Sequence, residues 1–463
     1  MQFVIVMAYL VLLLVGLYFA RRRVKGSDGS MATGRSLPRT VPAGSVPAAF
    51  VGAGVIVGGA SFVYQYGPLA AVFFFAGAPI GVMLFHFSLA HRIRGLAKYT
   101  VPEILEIRYG ALARASGGIC ILLAYVGIAS YQFTGGGYVL NITTGVPAWL
   151  GTLIFALAVI FLATVGGVVS MVYTNAIGAV LILGALLIGL PRILGEVGGF
   201  AGLFSGLPEE KASWNGGLSI IQLLGYFLPL FLLLLGGQNV YQRLSPAENS
   251  ESVRRPAIGF LAGAVVVVPL VILLSTCSIV LLPIIDPDTA ILSLAVADVV
   301  PTALGGLLLA AAAGVMITTG NSYLLCAAGN LLYDVYVKLS HREMPEAGGM
   351  LFARAAVVLL GALACTFGIL FHDVLALQVY SYTIYGAGIT PALVAALLWR
   401  RATVAGGVAS IITGTVATLT WELILKKPME WNSVIVALPL SVTVLVVVSL
   451  VTGKRAGESH SSA

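Results

Sequence analysis

The chain is 463 residues long, 59% hydrophobic and only 9% charged, a composition that excludes a soluble multidomain protein and points to a lipid bilayer. Its net charge of +7 would suit nucleic acid, but the basic residues are scattered through short loops, where they set topology and build no nucleic-acid surface.

Each bilayer crossing needs about 20 apolar residues, and such runs fall at 2–20, 42–66, 68–90, 115–141, 146–166, 169–193, 218–241, 256–284, 301–336, 350–370, 375–399, 404–424 and 433–452. They predict an all-α polytopic membrane protein with about 13 transmembrane helices. The first run carries its positive charges after the apolar core and lacks a small-residue cleavage site, so it reads as a retained helix and not a signal peptide. With the N-terminus outside and the C-terminus cytoplasmic, 21 of the 25 Lys and Arg lie on the cytoplasmic side, leaving only Arg192, Lys211, Lys426 and Lys427 outside. The positive-inside rule selects that orientation, in the cell inner (plasma) membrane.

Two spans are interrupted. The second begins Val41-Pro-Ala-Gly-Ser-Val-Pro-Ala-Ala-Phe-Val-Gly-Ala-Gly54, and the seventh contains Gly225, Pro229, Gly236 and Gly237. The spans from the second to the sixth and from the seventh to the eleventh form two five-helix halves of opposite topology, an inverted repeat whose first helices are both broken. Broken helices of this kind point to a midplane binding site where unwound carbonyls face cations. The organisation is then 1–40, first helix and basic loop; 41–193, core helices 1–5; 194–217, extracellular loop; 218–400, core helices 6–10; and 401–463, two accessory helices and a tail.

The ninth span carries paired hydroxyls, Thr318 and Thr319, deep in an apolar run. Hydroxyls in hydrocarbon either bond back to the preceding turn or serve as oxygen ligands for a hard cation. All eighteen acidic residues sit in loops or near span ends, so no intramembrane carboxylate is available as a proton relay and sodium coupling is favoured over proton coupling. Cys120, Cys277, Cys326 and Cys365 lie in apolar runs at no metal-binding spacing, and the five histidines are scattered. Neither a disulfide framework nor a metal cofactor is expected. A channel would need a charged or polar pore lining, and an enzyme a nucleophile, metal or acid–base pair; neither pattern is present.

Several segments together resemble the sodium:solute symporter family, whose members include sodium-coupled proline, galactose, pantothenate and sialic acid transporters of the LeuT-type fold. They are Ala32-Thr-Gly-Arg-Ser-Leu-Pro38, the stretch 51–67, Thr100-Val-Pro-Glu-Ile-Leu-Glu-Ile-Arg-Tyr-Gly110, Gly166-Gly167 with Tyr173-Thr-Asn175, Gln238-Asn-Val-Tyr-Gln-Arg243, the run 318–336, and Trp399-Arg-Arg-Ala-Thr403 before Gly406-Gly407. The resemblance implies a 5+5 inverted-repeat LeuT-type core and alternating access. It also implies a sodium site built from the carbonyls of Ala48, Val51 and Val315 and the hydroxyls of Thr318 and Thr319. Members with a second cation site carry an aspartate where this chain has Asn175, with Asn321 and Ser322 as supporting positions. An amide lacks the charge a second buried cation needs, so one sodium per solute is expected.

Candidate substrate contacts are Phe50 and Gly52 in the unwound part of core helix 1, Tyr125, Ser130, Tyr131 and Gln132 on core helix 3, and Tyr380, Ser381, Tyr382 and Tyr385 on core helix 10. Phe50-Val-Gly-Ala-Gly54 and Phe231-Leu-Leu-Leu-Leu235 make the pocket too apolar for a sugar, whose hydroxyls would go unpaired. The expectation is a sodium-coupled secondary symporter importing a small organic solute, with sodium and the lipid bilayer as partners and no obligate protein partner; a proton-coupled transporter of the same fold is the nearest alternative.

Overall fold

The structure is a computed structural model that describes residues 2–23, 52–94, 96, 100–238, 250–340 and 346–460, with side chains described except at 13–23, 94, 166–177, 179, 250–256, 339, 346–347 and 454–460. Its main elements are α1 Gln2–Arg23, a π-helical turn Gly54–Gly59 continuing as α2 Ala60–Tyr66, α3 Pro68–Ser88, α4 Val101–Tyr109, α5 Ala111–Thr144 and α6 Ala148–Glu196. The second half comprises α7 Ile220–Gly236, α8 Ser250–Leu281, α9 Ala290–Val296, α10 Thr302–Asn330 with a π-helical extension Leu331–Val337, α11 Glu346–Leu370, α12 Val374–Gly388 and α13 Thr390–Leu398. The accessory helices α14 Val404–Leu419 and α15 Val434–His460 follow. No strand occurs among the described residues, as lipid demands of any chain that does not close a barrel.

Among the described residues nine helices are long and apolar enough to cross a membrane, or ten if Val180–Glu196 and Gly199–Ser205, bent by 68°, count as one span. The other three expected spans correspond to α1, to the stretch ending at Tyr66, and to α7, which has 17 residues. The loop expected between 166 and 169 is absent, because α6 is helical throughout its 49 residues. It cannot be straight. Val159 Cγ1 lies 3.5 Å from a Cβ built on Gly320, and Val315 Cγ2 lies 3.2 Å from one built on Gly178. A straight helix would put positions 159 and 178 about 28 Å apart, against about 7.5 Å for 315 and 320. The helix therefore bends between its two contacts with α10, and two spans survive without a loop.

Of the two expected helix breaks, the one in core helix 1 lies largely outside the described residues, which resume at Gly52, and α7 runs through Gly225 and Pro229 and stops only at Gly236. The chain enters core helix 1 through Gly52, whose carbonyl accepts from both Val55 N and Ile56 N at 3.0 Å; the π-helical turn Gly54–Gly59 follows. In α7 the helix stops at Gly236 and Gly237 is extended. The carbonyls left open at such an end need partners, and they find them in side chains: Tyr385 Oη donates to Gly236 O at 2.9 Å and Thr390 Oγ1 to Leu232 O at 2.9 Å. The turn from α2 into α3 is made at Gly67, with φ +87°, where a Cβ would strike the carbonyl of Lys211.

The most deeply buried helix is α10, packed against α1, α5, α6 and α11. It joins Gln132 on α5 and Gly52 at the mouth of core helix 1 at one level of the bundle.

Candidate functional site

The Thr318 and Thr319 hydroxyls do different things. Thr318 Oγ1 donates to Val315 O at 3.0 Å, the back-bond to the preceding turn common for helical threonines. Thr319 is 6% exposed and its Oγ1 has no hydrogen-bond partner. An orphaned buried hydroxyl is costly, and in a bilayer no bulk water offsets the loss. Of the three described oxygens of the expected cation site, two are thus bonded to each other and the third, Thr319 Oγ1, is without a hydrogen-bond partner.

On the facing side stands Gly52, where the described part of core helix 1 begins. A Cβ on Gly52 would lie 3.4 Å from Thr319 Cγ2 and 3.2 Å from Gln132 Nε2, so the chain passes close between them. Gln132 Oε1 accepts from Ala53 N at 2.9 Å, capping the helix start with a side chain from α5. Ala48, Phe50 and Val51 lie outside the described residues, as does the side chain of Asn175. Asn321 is 4% exposed with its Oδ1 unpartnered, and Ser322 is half-buried.

Next to Thr319 lies a cavity of about 80 Å³, walled by Gly52, Gly54, Gln132, Tyr131, Gln378 and Tyr382, with Tyr323, Phe74, Phe75 and Phe260 completing an aromatic shell. Thr319 lines it as well, so cavity and hydroxyl pair share one residue. Tyr131 and Tyr382 meet hydroxyl to hydroxyl at 3.0 Å. Gly54 makes room for that pair, since a Cβ there would sit 3.0 Å from the Tyr382 oxygen and 3.2 Å from Gln378 Nε2. Among the described residues no charged side chain lines the cavity.

Of the predicted substrate contacts, Gly52, Tyr131, Gln132 and Tyr382 are thus brought together. Tyr125 stands one layer behind: its ring meets Tyr323 edge-on at 4.9 Å and stacks on Tyr385 at 6.1 Å, and it does not line the cavity. Tyr385 itself serves the α7 break, Ser381 Oγ donates to Leu377 O at 2.6 Å, and Tyr380 lies under the Lys427 ammonium, 4.5 Å from its ring centroid. Sequence reasoning missed Gln378. Its Oε1 is buried without a partner and its amide lies over Gly58. The signal was available, because an amide four residues before Tyr382 shares its helix face.

A second polar cluster closes the far end of α10. Arg114 at the start of α5 pairs with Asp334 and Glu106, each at 2.8 Å, and Lys338 pairs with Glu106. Thr100 Oγ1 donates to Asp334 Oδ1 at 3.4 Å, while Gln238 Nε2 donates to Asn330 Oδ1 at 3.0 Å.

The sequence matches the family model described as Sodium:solute symporter family over residues 31–414. It is 25% identical over 442 residues to the high-affinity proline transporter PutP of Bacillus subtilis, covering 89% of each chain. It is 23% identical over 473 residues to a sodium/proline symporter of Staphylococcus aureus, covering 96% of this chain and 91% of the other. In fold it is similar to a Na+-coupled sialic acid symporter solved in a substrate-bound outward-open state, with TM-score 0.79 and 17% identity over 97% of this chain and 98% of that one. It is also similar to Mhp1, a nucleobase-cation-symport-1 family transporter, with TM-score 0.56 and 15% identity over 92% and 96% of the two chains.

Proposed function

Because the chain belongs to the sodium:solute symporter family, we propose that it imports a small carboxylated solute together with one sodium ion by alternating access. The observation that carries this reading is Thr319, which lines the cavity, buries a hydroxyl without a partner and directly follows Thr318, whose own hydroxyl is bonded to Val315 O. A cation held by Val315 O, Thr318 Oγ1, Thr319 Oγ1 and the core helix 1 carbonyls at Ala48 and Val51 would supply a positive charge at a wall that has none among the described residues. A carboxylate could then enter without becoming an unpaired buried charge.

The rest of the cavity suits a compact, partly apolar body with an N–H donor: aromatic rings surround it, and the Gln378 Oε1 acceptor is free. A zwitterionic imino acid such as proline, for which two relatives are named, has this chemistry. Sodium binding bridges core helices 1 and 8, and the coupling is the difference in ion affinity between the two access states.

The protein is a multi-pass membrane protein, and in this reading its N-terminus faces outside. Gln2 Nε2 donates to Ala295 O at 2.7 Å, just before α10 begins, and Tyr9 packs on Gly314 further along it. The two helices run parallel, which puts the N-terminus on the same side as the start of α10. Uptake by proteoliposomes tests the function. An inward sodium gradient should accumulate proline or a related small carboxylated solute, competed by its own class and not by sugars. Uptake driven equally by a proton gradient in sodium-free buffer would reject the coupling ion.

A further inference from the structure

The first helix lies outside the ten-helix core, yet it reaches the helix that carries the hydroxyl pair. Val6 is fully buried and Tyr9 is 8% exposed. Around Tyr9 the neighbouring helices offer glycine: a Cβ on Gly314 of α10 would strike the phenol ring and come within 2.5 Å of its hydroxyl, and one on Gly178 of α6 would lie 3.4 Å from that hydroxyl. The same Gly178 Cβ would be 3.2 Å from Val315 Cγ2 and 3.8 Å from Val315 N. The phenol therefore occupies a slot cut by two glycines at the α6–α10 seam, one residue from the carbonyl assigned to the cation.

A ring alone would fill that slot, and phenylalanine would do so without a polar atom. Tyr9 instead buries a hydroxyl that has no partner in this arrangement. Such a group is costly in hydrocarbon unless another arrangement satisfies it. Val315 O accepts from Thr318; in the ion-loaded arrangement that bond opens, and any shift of the α10 backbone there moves Gly314, on which the phenol packs. We propose that Tyr9 is a positioning residue of the cation site, its hydroxyl gaining a hydrogen bond across the α6–α10 seam in the ion-loaded arrangement and so favouring it. This rests on the sodium reading of Val315, Thr318 and Thr319. Tyr9 does not touch the ion; it acts through the backbone of α10.

The test is equilibrium binding of radioactive sodium ion to the full-length protein in detergent or nanodiscs, with thermal unfolding in sodium-free buffer as a parallel measurement. Tyr9→Phe keeps the ring and removes only the oxygen. It should weaken sodium binding about three- to tenfold, as the loss of one hydrogen bond would, with the number of sites unchanged and the sodium-free unfolding temperature unchanged or higher. Tyr9→Leu should weaken binding as much and also lower the unfolding temperature. If Tyr9→Phe binds sodium as the wild type does while Thr319→Ala does not, Tyr9 is packing only and the proposal fails with the cation site intact. If Thr319→Ala also binds like the wild type, the cation site itself is misassigned and the proposal falls with it.

Discussion

Thr318 donates its hydroxyl hydrogen to the carbonyl of Val315 at 3.0 Å while the adjacent Thr319 hydroxyl has no partner. The two threonines should consequently respond differently to truncation. Thr318→Ala deletes a hydrogen bond and a proposed ligand together, whereas Thr319→Ala deletes a proposed ligand and relieves an orphan. Each should weaken sodium affinity tenfold or more, since a hydrogen bond to a charged group is worth about 1.5 to 3 kcal/mol. Only Thr318→Ala should lower the unfolding temperature in sodium-free buffer, and Thr319→Ser should bind sodium nearly as the wild type does. Unchanged sodium dependence of uptake in both alanine variants would remove the pair from the ion's path.

Arg114 and Asp334 make the second test. The carboxylate is fully buried and the guanidinium nearly so, with 0% and 14% side-chain exposure. Asp334 Oδ1 takes the arginine and Thr100, while Oδ2 has no partner. Removing one member of a buried pair leaves the other charge uncompensated, a loss of about 3 to 5 kcal/mol, whereas removing both charges is far milder. Arg114→Met alone should therefore lower the unfolding temperature strongly, and adding Asp334→Asn should restore most of the loss. Because this cluster ties the start of α5 to the end of α10, the double variant should fold yet leak, taking up solute with a reduced sodium requirement. A double variant no more stable than Arg114→Met would show that the pair is not what holds this end closed.

Asp288 gives the pH dependence. Burial pushes its carboxyl up from the usual 3.8 to about 7, with Asp373 and Asp286 adding to the effect and the Val374 N–H and Ser61 opposing it. Tyr138, on α5, faces the same group. Its Oδ2 accepts from Val374 N at 2.7 Å, at the first residue of α12, and Oδ1 is unpartnered. The native state holds this proton more firmly than the unfolded chain does. Stability from the site is thus full below about 3.8 and falls as pH rises towards 7, being lost above it. Asp288→Asn, which mimics the protonated form, should be more stable than the wild type at pH 8 by on the order of 2 to 4 kcal/mol and equal to it at pH 4. Parallel stability curves for the two proteins across that range would contradict the assignment.

What the sequence made legible follows from the physics of each residue. Thr318 and Thr319 stood out because paired hydroxyls are anomalous in hydrocarbon whatever the fold, and the end of α7 at Gly237 because glycine acts locally. Tyr125 and Gln378 were harder. Both are polar groups in apolar helices, and which of them faces the cavity depends on how α5 and α12 rotate against core helix 1, a tertiary fact that spacing alone does not give. The helical continuity of α6 was invisible for the opposite reason, since Gly166-Gly167 reads as a turn and packing overrides that preference. Asp288 looked like an ordinary loop acid because nothing local shows that it will cap α12 from a distant segment.

Gln378 carries the prediction most specific to the solute. Gln378 lines the cavity, and its Oε1, set against Gly58, has no hydrogen-bond partner, so in the proposed reading a side-chain rotation offers it to a solute N–H. Gln378→Leu preserves bulk and removes the acceptor. It should raise the apparent KM for a proline-like solute about tenfold while leaving sodium affinity measured without solute unchanged. Gln378→Glu keeps the acceptor but adds a negative charge to a wall with no cation of its own, which a carboxylated solute will avoid. For such a solute it should therefore be worse than leucine, and for the decarboxylated amine analogue better than the wild type. If the glutamate variant transports the carboxylated solute as well as wild type, then Gln378 does not face the solute in the loaded state and the N–H donor is bound elsewhere in the cavity.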